Sequence, residues 1–498
     1  MAHDPKASLK KLDTLRNNSG PAKTTGLRDK VVETFLDRDD TLVTAVDRAL
    51  ERAESLGDEE LALLKMDETE LCELLQERYV NFYPHSGRNP YVPLAAKGPW
   101  IVTTHGAVLH DSGGYGMLGL GHAPDELVDG LGEPWVMANV MTPTLSQKRF
   151  SDRLMEEIGR KRGQCPFYKF LCLNSGSEAV TLSSRIADIH ANNQISKGAP
   201  HEGKAVRVLA LEDGFHGRTY QAARISHSTR DAYEENLASF RLDQQVDFVP
   251  INDEAALRKA FEDADAKNVY YQALYIEPVM GEGIPGQGVE RSFYDLCREM
   301  TRQHDSLLVV DSIQAALRAH GCLSIVDYPG FENCEAPDME TYSKALNAGQ
   351  FPLSVLAVNE RTAGIYQTGV YGNTMTTNPR ALEVGVRVLE AIDDPMRWNI
   401  QARGREFLEK LETVHKDFPG SIKQIIGTGL LVAALLDEEK HPVTGEGGVE
   451  EYMRVNGVEM IHGGPNGLRF TPHFRITSEE IDLIIDVMRE ALRQNYGS

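Results

Sequence analysis

The feature that most constrains this chain is an alternation of short apolar runs with helical stretches between about residue 150 and residue 360. The runs are Lys169–Leu173, Arg207–Leu211, Ala273–Ile276, Leu307–Val310 and Ser354–Val358, with helical patterns such as 177–193 and 290–303 between them. Strand, loop and helix in repetition predict a mostly parallel α/β sheet. Ligands of such sheets bind beyond the carboxyl ends of the strands, so polar residues just after each run are the first place to look for chemistry.

The flanking segments predict a smaller α+β domain built from the two chain ends. Residues 1–30 are polar and read as a loose segment or arm. Residues 31–80 read as amphipathic helices, with Val43, Val46, Ala49 and Leu50 at helical spacing. Residues 83–98 form a Pro/Gly-rich connector. Residues 380–415 read as a long helical region, 427–436 as a strand, and about 478–496 as a closing amphipathic helix. At 498 residues the chain suits two or three domains.

Charge narrows the partners. Fifty-two basic against 74 acidic side chains give a formal net charge of −22, which argues against nucleic acid and against an anionic membrane surface. The six cysteines include no CxxC pair and are too sparse for a disulfide scaffold. No metal site is expected, and a reduced, cytoplasmic setting is. The first residues lack the apolar core of a signal peptide, and no apolar run reaches membrane-spanning length.

Four motifs follow predicted strands. Asn174–Ala179 (Asn-Ser-Gly-Ser-Glu-Ala) opens a helix, and Gly176 and Ser177 could cradle a phosphate; alone it is equally a capped helix start. Gly214–Thr219 brings Phe215, His216 and Arg218 between and beside glycines, a stacking surface with an anion contact, or a simple turn. Asp311 ends an apolar run, where a carboxylate is costly unless paired; a protonated pyridine nitrogen would pair with it, and Gln314 could reach another polar atom of the ring. A helix N-cap is the plain alternative. Lys344, in Tyr-Ser-Lys-Ala-Leu, is by itself one more surface charge, yet a buried lysine is what a Schiff base needs. Together these are the parts of a pyridoxal 5'-phosphate (PLP) site.

The order of the motifs resembles the class III (ornithine/acetylornithine/GABA-type) aminotransferases of PLP fold type I, over roughly residues 90–490. The likeness rests on Gly121–Pro124, Asn174–Ala179, Phe215–Thr219, Glu277–Glu282, Asp311–Gln314, Ser343–Leu346, Thr374–Pro379 and Arg469–Pro472. It implies a large PLP domain with a seven-stranded-type sheet over 151–380. It also implies an N-terminal extension over 1–90, a small-domain segment and linker over 91–150, and a C-terminal small domain over 381–498. Lys344 and Asp311 would be catalytic. Gly176, Ser177, Phe215, His216, Gln314 and Thr374 would join them around the cofactor, with Thr374 reaching the phosphate of a neighbouring subunit in a homodimer. Tyr115 and Arg218 would hold a donor carboxylate. Arg469 would hold a substrate carboxylate, with Glu282 as its acidic partner.

The implied reaction is ping-pong amino transfer from an amino acid or ω-amine to 2-oxoglutarate or pyruvate. A racemase, aminomutase or decarboxylase on the same fold is the alternative, and a catalytically dead binding protein is a more remote one. A nicotinamide enzyme is disfavoured, since no convincing GxGxxG follows a strand with an acidic residue about 20 positions further on. Four positions depart from the family pattern: Ser312 stands where a glutamate usually follows the aspartate, Thr376 and Thr377 replace a glycine pair, and His473 replaces a proline.

Overall fold

The computed structural model describes residues 4–241 and 245–494, apart from the side chains of Ser86 and Tyr115. Seven strands form the sheet of one unit, spanning Glu126–Ala402 and Gly427–Leu431. They are β1 (Lys169–Leu173), β2 (Ala205–Leu211), β3 (Val246–Val249), β4 (Val269–Ile276), β5 (Leu307–Asp311), β6 (Met339–Tyr342) and β7 (Ser354–Val358). Their spatial order is β1-β7-β6-β5-β4-β2-β3. Every pairing from β3 across to β6 is parallel. Only β7 runs against its two neighbours, β1 and β6. The expected mostly parallel seven-stranded sheet is therefore present.

The burial of the central strands explains why they read as unbroken apolar runs. All residues of β5, β6 and β7 are buried, as central strands covered on both faces must be. The helix α1 (Gly176–Ile195) lays Val180, Leu182 and Ile186 into a core shared with Tyr275, Val309 and Leu356. Fully burying each such aliphatic chain contributes about 1.5–3 kcal/mol. Because β1, β2, β4, β5 and β6 point the same way, the residues that follow them emerge on one edge of the sheet.

The other unit comprises the described residues of Met1–Asp125, Arg403–Ile426 and Val432–Ser498. It holds a four-stranded sheet ordered Pro93–Lys97, Trp100–Thr103, Val108–Asp111 and Val458–Glu459. The amphipathic region contains four helices, Asp29–Leu36, Asp40–Glu54, Asp58–Leu64 and Glu68–Gln76, with Val43, Val46 and Ala49 buried. No described helix is long and apolar enough to cross a membrane.

Three sequence expectations need correction. Residues 1–30 are not all loose: Pro5–Asn18 is a helix, capped by Asp4 and buried along Leu12 and Leu15. Two leucines three apart suffice to seat it, although polar residues surround them. The segment 427–436 is not one strand. Ile422–Thr428 and Leu431–Leu436 are separate, and the chain turns at Gly429 with φ +58°. A Cβ there would lie 1.9 Å from the Ala319 carbonyl oxygen, so glycine is required. The long helical region is two helices, Pro379–Ala391 and Asp394–Asp417.

Candidate active site

Asp311 is the last residue of β5 and is 3% exposed. Its Oδ2 pairs with Nδ1 of His216 at 2.8 Å. Its Oδ1 accepts from the Ile313 N–H at 3.1 Å and from Oγ1 of Thr341 at 2.9 Å. A buried carboxylate is tolerated when it is this well supplied with donors. Burial pulls the His216 imidazole down, but the hydrogen bond and charge of Asp311 outweigh it and raise its pKa above the ordinary value. The Asp311 side chain thus favours a proton on the His216 ring. The His216 backbone N–H is held by Oγ of Ser226 at 2.8 Å.

Glu277 follows β4 and is buried. Its two oxygens accept from the N–H groups of Phe215 (2.8 Å) and Gly281 (3.0 Å), which ties the loop after β2 to the loop after β4. Burial pushes its carboxyl up to about 7, opposed by the charge of His216.

The start of α1 lies beside this group. Ser175 is its N-cap, and Glu178 closes the capping box through the N–H groups of Asn174 (3.0 Å) and Ser175 (3.1 Å). The N–H groups of the next residues face out of the helix end, an arrangement suited to an anion. Gly176 is needed there, since a Cβ would come within 2.7 Å of Cδ1 of Ile313. Oγ of Ser177 accepts from the Arg218 N–H at 3.3 Å. The intervening turn passes through Gly217 at φ +120°, where a Cβ would lie 2.1 Å from that same oxygen.

Gln314 is buried, and its Nε2 has no hydrogen-bond partner among the described residues. Its side chain lies on Gly281, whose added Cβ would be 2.2 Å from Cδ of Gln314. Lys344 stands two residues past β6, partly buried, with φ +46°. A left-handed lysine costs about 1–2 kcal/mol, and strain of this kind collects at functional sites. Phe215 is partly buried, with the Arg218 guanidinium 5.5 Å from its ring centre. Arg218 also lies 4.0 Å from Oε1 of Glu282 and 3.5 Å from the hydroxyl of Tyr233.

The structure thus gathers Asp311, His216, Gly176, Ser177, Phe215, Gln314, Arg218 and Glu282 in one linked network, with Lys344 on the same sheet edge. Thr374 is exposed in a loop of this unit, its carbonyl accepting from Asn139. Arg469 is buried on the strand Gly467–Phe470 of the other unit. Tyr115 sits in the turn Gly114–Gly116, and its side chain lies outside the described residues.

Sequence reasoning assigned no role to Glu277, Thr341, Ser226 or Tyr233. Glu277 carried the same signal as Asp311, a carboxylate ending an apolar run. The others depend on strand register and loop packing. The departure at Ser312 is also explained. Its Oγ donates to Glu340 at 2.5 Å, as does that of Ser324, so the neighbouring strand brings a carboxyl group to this position.

A seven-stranded, mostly parallel sheet with these loops at its carboxyl edge defines a class of fold shared with known enzymes. The chain belongs to the class III aminotransferases, whose family model matches residues 82–492. It is 29% identical over 411 residues to the acetylornithine aminotransferase of Neisseria meningitidis, covering 80% of this chain and 93% of the relative. It is 29% identical over 434 residues to ornithine aminotransferase 2 of Staphylococcus aureus, covering 84% and 99%. Among solved structures, the ornithine aminotransferase of Toxoplasma gondii matches with a TM-score of 0.73 at 23% identity, covering 88% of this chain and 98% of that one. The N-acetylornithine aminotransferase of Stenotrophomonas maltophilia matches at 0.65 and 22%, covering 84% and 98%. The chain is a PLP-dependent transaminase of this family.

The residues present fit that cofactor. A buried carboxylate, an amide donor still lacking an acceptor, and a helix end kept open by Gly176 match a ring nitrogen, a ring oxygen and a phosphate in chemical character.

Proposed function

We propose that this enzyme moves an amino group from an amino acid or ω-amine donor to a keto acid, 2-oxoglutarate or pyruvate, in ping-pong order. The donor leaves as its carbonyl product before the acceptor enters. The observation that carries the site assignment is the buried Asp311–His216 pair beside the unpartnered Nε2 of Gln314.

When bound, PLP supplies an electron sink and carries the amino group. The chain's residues do the rest. Asp311 would face the pyridine nitrogen and favour its proton, and His216 would hold Asp311 in place. Gln314 would donate to the ring's phenolic oxygen, Phe215 would cover the ring face, and Gly176 and Ser177 would bind the phosphate. Lys344 would hold the cofactor covalently, and its amine, once freed, would serve as the base for the proton on the substrate carbon. Arg218 and Tyr115 bind the donor carboxylate, and Arg469 binds the acceptor carboxylate. Glu282 is an acidic counterpart for a substrate-binding arginine, supported by its approach to Arg218.

The active species is a homodimer in which Thr374 reaches the partner's phosphate. Exposed Val136, Met137, Met141, Leu145 and Met375 support it, since apolar surface of this kind calls for cover. The six unpaired cysteines support a reducing, cytoplasmic setting.

A panel of amino donors, each with and without 2-oxoglutarate or pyruvate, tests the reading. Carbonyl product should form in quantity only when the keto acid is present, matched by the new amino acid. Turnover without acceptor would instead mark a racemase, mutase or decarboxylase. Lys344→Ala should keep the fold while losing activity and the cofactor's visible absorption.

A further inference from the structure

One departure from the family pattern brings a further ligand-type side chain into a cluster. His473 stands where a proline is usual, and it meets two other ligand-type side chains in the unit built from the chain ends. His110 lies on the strand Val108–Asp111, and Glu480 on the first turn of the helix Ser478–Leu492. Nε2 of His110 and Nε2 of His473 lie 3.1 and 3.0 Å from the same oxygen, Oε1 of Glu480, and all three ligand atoms fall within 4.8 Å of one another.

We propose that His110, His473 and Glu480 form a zinc site that clips the N-terminal sheet of this unit to its C-terminal helix. Zinc at ~2.0–2.2 Å from each of its ligands separates neighbouring ligand atoms by about 3.3–3.6 Å in tetrahedral geometry. The observed nitrogen–oxygen spacings need only a few tenths of an ångström of adjustment to admit the ion. Two imidazoles and one carboxylate are a recurrent zinc donor set that leaves a fourth position open.

The carboxylate is already oriented. Its other oxygen, Oε2, accepts from the N–H (2.6 Å) and Oγ1 (2.7 Å) of Thr477, which leaves Oε1 facing the two rings. The tautomer needed at His110 costs no existing bond there. Ligation through Nε2 puts the proton on Nδ1, which has no hydrogen-bond partner among the described residues. His110 and Glu480 are buried, whereas the His473 side chain is 11% exposed and offers the way in.

The test uses the holoenzyme, stripped with dipicolinate and titrated with zinc sulfate by calorimetry. One zinc should bind per chain, and the thermal midpoint should rise with zinc. His473→Gln, similar in size, should weaken binding at least ~100-fold and remove the rise. Glu480→Gln, which keeps a capping oxygen for Thr477, is the second variant should the first misfold, and should weaken binding similarly. Cobalt should give tetrahedral d–d bands in the wild type that a folded variant lacks. A wild type that takes up no zinc, or folded variants that bind it as well as the wild type, would show a plain hydrogen-bonded cluster and overturn the proposal.

Discussion

Replacing His216 with leucine removes an imidazole from a fully buried place and leaves Asp311 with two donors, the Ile313 N–H and Thr341 Oγ1. Breaking a buried ion pair from one side costs about 3–5 kcal/mol. Part of that returns, because Nε2 of His216 is itself buried without a partner among the described residues. Relieving one such atom recovers about 1–3 kcal/mol. The expected loss is therefore about 2 kcal/mol. Its pH dependence has a definite sign. The folded pKa of His216 is raised, so the wild type's advantage is fully present below the unfolded imidazole value of about 6.5 and fades as pH climbs through the folded value. Urea midpoints of the cofactor-free proteins, followed by circular dichroism at pH 6, 7.5 and 9, measure both quantities. Equal midpoints at pH 6, or a gap that widens toward pH 9, would refute the reasoning.

Three further perturbations follow from the same geometry. The Glu340 carboxyl is pushed by burial from 4.5 up to about 7, so its preference for the proton stabilises the fold fully below about pH 4.5 and is lost on the way to about pH 7. Glu340→Gln cannot lose that proton. Thermal midpoints should show the variant gaining on the wild type between pH 5 and 8 by up to about 3 kcal/mol, whereas a constant difference would contradict it. Thr377 holds φ +55° with a β-branched side chain; Thr377→Gly should raise stability by about 0.5–1 kcal/mol, and an unchanged or lower denaturation midpoint would count against strain there. Gly281→Ala places a Cβ against Gln314. It should cost about 1–3 kcal/mol and loosen PLP retention on dialysis; full retention at wild-type stability would mean the Gln314 contact is not tight.

The elements legible from sequence were those punctuated by chemistry. Lys169–Leu173 and Ser354–Val358 match β1 and β7 at both ends, because polar or glycine-containing segments bracket continuous apolar runs. Asp311 was singled out as a carboxylate closing such a run; Glu277, which closes another, was not. Nor were the partners of these residues. Thr341 reaches Asp311 only because β6 is registered against β5, with Asp311 opposite Thr341. Tyr233 reaches Arg218 from a short helix far along the loop. The Pro5–Asn18 helix was hidden by composition, since its buried stripe is narrow. The left-handed backbone at Lys344 and Thr377 leaves no trace in residue type, because neither is a residue that favours it.

The threading of the chain has a consequence for its birth on the ribosome. The unit that begins with residues 4–125 is completed only by Arg403–Ile426 and Val432–Ser498. His110 must wait for a partner 370 positions downstream. At about 5–20 residues per second, that interval lasts about 20–75 s. Leu12, Val46 and Trp100, all buried in the finished protein, emerge long before the helix Ser478–Leu492 exists. Residues 126–402 can meanwhile gather their sheet from contiguous chain. Nascent molecules of this enzyme therefore pass through a stage with a completed middle and an unfinished beginning, when a holdase chaperone would find the most apolar surface to guard.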